Sequence, residues 1–97
     1  MHLNEKEIYD KAISKWGETS QLLMLIEELN ELSVEACHHI RGRRSIGDMY
    51  IIEEIADVEI VLAQLKMILS KENEEFEEDL NTIKTRKLRR LEERVNE

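Results

Sequence analysis

Apolar residues recur along this chain at helical rather than strand spacing, and they fall into four blocks. The first holds Ile8, Ala12, Ile13 and Trp16. The preceding LNEKEI reads as a helix start, with Asn4 as N-cap, Glu7 in the capping-box position and Leu3 placed to staple against Ile8. Gly17 is a natural stop. Thr19 or Ser20 can cap a second helix, whose Leu22, Leu25, Ile26, Leu29, Leu32 and Ala36 follow the i, i+3, i+4, i+7 template. The segment RGRRSIG from Arg41 has two glycines, three arginines and no apolar period, so it predicts a loop, with Ser45 or Asp48 capping a third helix.

The third block, over about residues 49–69, is apolar on nearly every side, from Ile51, Ile52 and Ile55 to Ile68 and Leu69, and a helix of that kind is normally buried on most sides. Residues 70–73 mark a break, although no glycine or proline enforces it and a slight bend is the alternative. A fourth helix over about 74–95 carries Phe76, Leu80, Ile83, Leu88, Leu91 and Val95. The expected fold is therefore all-α, a four-helix bundle-like single domain over residues 1–97.

Composition supports the helical class: there is no proline, only four aromatics, and 37% of residues are charged. With 97 residues the chain is small for a self-sufficient core, so help from a partner subunit is expected. A formal charge of -8 argues against a general nucleic-acid binder, because affinity for phosphate backbones rests on clustered Lys and Arg. The balance is uneven, however: residues 72–79 are strongly acidic and residues 84–94 mainly basic, blocks that are most often solvated faces. A lone cysteine, Cys37, and the lack of a signal peptide or a long apolar run point to a cytoplasmic protein without a membrane span.

What composition does not explain is acid inside the apolar blocks. Glu27, Glu28 and Glu31 lie in LLMLIEELNEL, and Glu53, Glu54 and Asp57 in YIIEEIADVEIVLAQL. Glu28 with Glu31, and Glu54 with Asp57, are each one helical turn apart on one face. Glu35 continues the first strip along the border of the apolar face, and Val61 and Gln64 continue the second. An ionised carboxylate in such a setting is costly without a compensating partner. Oxygen donors suit hard cations, and Mg2+ is commonly shared between protein acids and substrate phosphates. The plain alternative is that ExxE spacing is common in an acid-rich chain and these residues line a solvated edge.

The stretches WGETSQLLMLIEELNELSVEA, EEIADVEIVLAQL and KTRKLRRLEERV resemble the MazG-like branch of the all-α nucleoside triphosphate pyrophosphohydrolases, over about Trp16 to Val95. Its ExxE and ExxD motifs are matched by Glu28, Glu31, Glu54 and Asp57. The resemblance implies hydrolysis of a nucleoside or deoxynucleoside triphosphate to the monophosphate and pyrophosphate, with Mg2+, or Mn2+ as the alternative ion, held by those four acids. It also implies assembly as a homodimer or homotetramer. Lys87 and Arg90, one turn apart, with Lys84 a turn earlier, match its phosphate contacts, and Trp16 and Gln21 lie where related enzymes hold the nucleobase. Taken singly, the Trp reads as a core residue and the Gln as a surface one. Val61 stands where some members carry a tyrosine.

Weaker candidates surround these. Glu35 is a candidate outer-shell or water-orienting group, and Arg41, Arg43 and Arg44 could close over a triphosphate. Glu35 and His38 form one ExxH, but a di-iron bundle needs a second facing it, which this chain lacks. Two alternatives to the main reading are an enzyme like phosphoribosyl-ATP pyrophosphohydrolase, whose usual aromatic-His pair is replaced by Ile60 and Val61, and a catalytically silent helical interaction module.

Overall fold

A computed structural model describes residues 2–42 and 49–97. Among the described residues the fold is all-helical: α1 (Glu5–Trp16), α2 (Glu18–Ile40), α3 (Met49–Glu72) and α4 (Phe76–Val95), with no strand. None of these helices is long and apolar enough to cross a membrane. The expected loop arginines Arg43 and Arg44, and the expected caps Ser45 and Asp48, lie outside the described residues. The chain forms two compact units, Met1–Met67 and Ile68–Glu97, so the boundary falls inside α3.

The local signals at the start of the chain act as anticipated. Asn4 Oδ1 accepts a hydrogen bond from Glu7 N–H at 2.8 Å, satisfying one of the free donors of the first turn. The return bond differs from a full capping box, since Glu7 Oε1 takes its bond at 2.8 Å from the Asn4 side-chain amide.

Gly17 separates two helices without a loop. Its N–H donates to Ile13 C=O at 2.8 Å, and its own C=O accepts from Gln21 N–H at 3.2 Å. One residue thus ends α1 and opens α2, and no side chain caps α2. Thr19 and Ser20 fall inside the helix instead, because glycine alone supplies the turn: its φ is +91°, where a Cβ would be strained.

In the second unit Asn73 makes the break. Its side-chain oxygen accepts from Glu75 N–H at 3.0 Å and its amide donates to Asp79 Oδ2 at 3.3 Å. Its backbone C=O accepts from Phe76 N–H at 3.1 Å. An asparagine with these bonds stops a helix as firmly as glycine does. Hence α3 runs to Glu72 and α4 begins at Phe76, rather than near 69 and 74.

Burial in the single chain is narrower than the apolar pattern suggests. The buried apolar side chains are Ile13, Leu25, Val58, Val61 and Ile68. In α3 the buried positions Val58, Val61, Gln64 and Ile68 form one helical strip. Ile52, Ile55, Ile60 and Leu62 are 37–46% exposed, so α3 is not covered on most sides. No residue of α4 is buried. A chain of this length has too few elements to cover an all-round apolar helix.

Stability should follow this division. Leu25→Ala is expected to cost about 2–5 kcal/mol by cavity formation, and Ile40→Ala, at an 82% exposed position, to stay within about 0.5 kcal/mol. Urea melts of both variants against wild type check this.

Candidate metal centre

The acids of α2 and α3 meet across the first unit. Ligand oxygens of Glu28, Glu54 and Asp57 all lie within 4.8 Å of one another. Glu28 is fixed on the strip that buries Gln21 and Leu25, two turns and one turn earlier. Glu54 and Asp57 are fixed by the strip that buries Val58 and Val61. Each carboxylate therefore sits beside core residues that lock its backbone. Glu28 and Glu54 are half-buried and Asp57 is exposed.

Glu31 is not in the set of three. It lines an adjoining hollow of about 280 Å³ with Asn30, Val34, Glu35 and Glu54. Its charge nonetheless reaches the cluster, as the protonation equilibria show. Desolvation in the crowded site, followed by a hydrogen bond with the Glu28 carboxyl and then the charge of Glu31, pushes Glu54 up to about 7. Glu28 is also raised, first by desolvation, with repulsion from Glu31 and Asp57 adding; a hydrogen bond from Glu54 opposes the shift. Crowded carboxyls cannot all ionise, so a proton stays in the metal-free cluster.

The donor set fits a hard cation. One oxygen each of Glu28 and Glu54, Oε2 in both, is buried without a hydrogen-bond partner among the described residues. Carboxylate oxygens bound to one Mg2+ at about 2.1 Å are at most about 4.2 Å apart, so small side-chain movements close the observed triad on an ion. Neither Glu35 nor His38 belongs to it. His38 Nδ1 lies 3.7 Å from Glu35 Oε1 on the same helix, a local pair rather than half of a second metal site.

A second hollow, of about 270 Å³, also borders the acids. Glu28 and Asp57 form part of its lining together with Trp16, Gln21, Met24 and Gln64. Two expectations about single residues are reversed here. Trp16, expected in the core, is 57% exposed, with the Lys15 ammonium 5.4 Å from its ring centre. Gln21, expected on the surface, is only 3% exposed. Gly17 causes both: it places Trp16 at the end of α1 and Gln21 in the first turn of α2, so the two line one cavity. Tyr9 joins the lining without having been singled out in the sequence, although the spacing Ile8, Ala12, Trp16 marks the same side of α1.

In the second unit Lys87 and Arg90 line a shallow groove with Leu91 and Arg94. Lys84 is one turn earlier on α4 and exposed. Comparison of the chain with protein-family models, curated proteins and solved structures gives no match.

The raised Glu54 carboxyl makes stability depend on pH. The folded chain holds this proton between its ordinary value of 4.5 and about 7, whereas the unfolded chain releases it. The stabilisation is thus fully present below about pH 4.5 and is lost as pH rises through about 7. Metal-free protein should lose melting temperature between pH 6 and pH 8. Glu54→Gln should flatten that loss and melt higher than wild type at pH 8, as differential scanning calorimetry in chelator would show.

Proposed function

We infer that this protein is a Mg2+-dependent pyrophosphohydrolase of nucleoside or deoxynucleoside triphosphates, releasing the monophosphate and pyrophosphate. The observation that carries the reading is the convergence of Glu28, Glu54 and Asp57 oxygens within 4.8 Å, with two of their buried oxygens lacking partners. The sequence resemblance to MazG-like enzymes supplies the reaction class and rests on the motif residues alone.

In this reading Glu28, Glu54 and Asp57 hold the cation, and Glu31 borders it. When bound, Mg2+ offsets phosphate charge and makes a coordinated water a competent nucleophile. The carboxylates orient that cation, and the proton held by Glu54 leaves as it binds. Glu31 and Glu35, which line the hollow beside Glu54, are placed to orient water. Trp16 offers an exposed indole face for a base to stack on. Lys84, Lys87 and Arg90 are assigned to the phosphates on the strength of the resemblance.

The reading includes a homo-oligomer. Ile26, Leu29, Ile55 and Leu62 are 37–55% exposed in one chain, and completing the burial of each is worth about 1 kcal/mol. A second copy would supply the cover that a chain of this size lacks, and sedimentation at twice or four times the chain mass is expected. A monomer at micromolar concentration would remove this part.

Asp57→Ala and Glu54→Ala are each expected to lower Mg2+-dependent pyrophosphate release by at least about 100-fold, in line with a lost contribution of several kcal/mol from the ion. Wild type, but not Asp57→Ala, should gain melting temperature with Mg2+ and nucleotide together. Unchanged turnover in both variants would remove the metal assignment. No turnover and no thermal shift in wild type would favour the silent interaction module.

A further inference from the structure

The cavity beside Trp16 holds two primary amides that the metal reading leaves unused. Gln21 and Gln64 are 3% and 4% exposed, the only buried polar side chains among the described residues. They come from different helices, α2 and α3, and both line the 270 Å³ hollow. Their hydrogen bonding is incomplete. Gln64 Oε1 is buried with no partner among the described residues. Gln21 Nε2 donates to the thioether of Met24, at 3.9 Å, and sulfur is a weak acceptor.

A buried amide oxygen left unsatisfied destabilises the fold, and native folds keep such groups where a ligand or an ordered water completes them. The remaining lining favours a flat apolar ligand: Tyr9, Ala12, Met24, Ile60 and Val61, with the Trp16 indole. Glu28 and Asp57 line the same hollow, so a ligand seated on the amides also reaches the acids.

We propose that Gln64 is a specificity-determining residue: its amide oxygen accepts a hydrogen bond from an N–H on the edge of a nucleobase, which Gln21 meets with its amide N–H. The pair requires a base edge with a donor beside an acceptor; uracil, thymine and guanine also carry one as N–H beside C=O, and the amino group beside a ring nitrogen of cytosine or adenine is the edge to which the amides are assigned. This assignment rests on the proposed nucleotide reading for the identity of the ligand, but not on metal binding or turnover. It gives base recognition to a strip of α3 that continues directly from Glu54 and Asp57.

The test uses free nucleosides, so that it is independent of the chemistry. Thermal shifts of the metal-free protein are titrated with cytidine and adenosine at millimolar concentrations, and with the analogues that lack the exocyclic amino group, zebularine and purine riboside. Wild type should bind at least one amino nucleoside about 10- to 100-fold more tightly than its analogue, the span of one lost hydrogen bond to a buried acceptor. Gln64→Met, similar in volume and apolar, should bind both members of that pair alike and melt no lower than wild type. Gln64→Glu keeps the acceptor and should keep the preference.

Two results would overturn the proposal. One is a wild type that does not distinguish nucleoside from analogue, including one that binds neither. The other is a preference that survives in Gln64→Met, which would leave Gln64 serving a buried water or the fold alone. Pyrophosphate release measured on the same protein preparations, with Mg2+ and a nucleoside triphosphate added, separates this from the enzyme reading. Loss of the base preference in Gln64→Met supports the proposal whatever the turnover of that variant. Intact turnover with an unchanged preference removes the proposal and spares the enzyme.

Discussion

The arrangement depends on mutual repulsion among carboxylates that the helices do not allow to separate. Glu28 on α2 and Glu54 and Asp57 on α3 are each anchored one turn or less from a buried residue. Moving the half-buried Glu28 and Glu54 carboxyls into open water would mean rotating a helix away from its packed face, and the small core cannot spare that burial. Desolvation first, then a hydrogen bond with the Glu28 carboxyl and the charge of Glu31, push Glu54 up to about 7, so below that pH a retained proton relieves the repulsion in the metal-free state. A cation is the more effective relief, since it uses the unpartnered oxygens that a single proton leaves idle.

The same strips that hold the acids hold the buried amides. Along α2 the order is Gln21, Leu25, Glu28, and along α3 it is Asp57, Val61, Gln64. Each strip alternates between groups that the fold needs and groups that the fold has no use for. Polar side chains within such a limited core lower its stability, and natural sequences depart from local rules of this kind most often at functional sites. Two hollows include the acids in their walls: one has Glu31, Glu35 and Glu54 with Asn30 and Val34, and the other sets Glu28 and Asp57 among aromatic, apolar and amide groups. That division suits a ligand with a charged end and a flat, weakly polar end.

Apolar surface is the other constraint. Among the described residues five apolar side chains are buried, while Ile26, Leu29, Ile55 and Leu62 stay about half exposed on α2 and α3. Hydrophobic burial is the main favourable term in folding, and these half-exposed positions are where further burial would add to it. The uncovered positions lie along helices whose packed strips carry the acids, and assembly would therefore stiffen the elements on which the centre is built.

The sequence by itself determined the helical class, the number of helices and the positions of the acids along them, because these follow from 3.6-residue periodicity and from short-range hydrogen bonding. Asn4 capped α1 as its neighbours required, and Gly17 ended it. Even the pairing of two acidic motifs was legible, since ExxE and ExxD put carboxylates on single faces. Tertiary structure decided which of them meet. Cross-helix distance depends on how side chains of unequal size pack between α2 and α3, and no local rule states that Glu28 reaches Glu54 and Asp57 while Glu31 borders the neighbouring hollow. It also reversed Trp16 and Gln21, for a reason visible only in three dimensions: one glycine at φ +91° joins α1 to α2 without a loop. That turn sends an indole to the rim of a cavity and an amide into its wall.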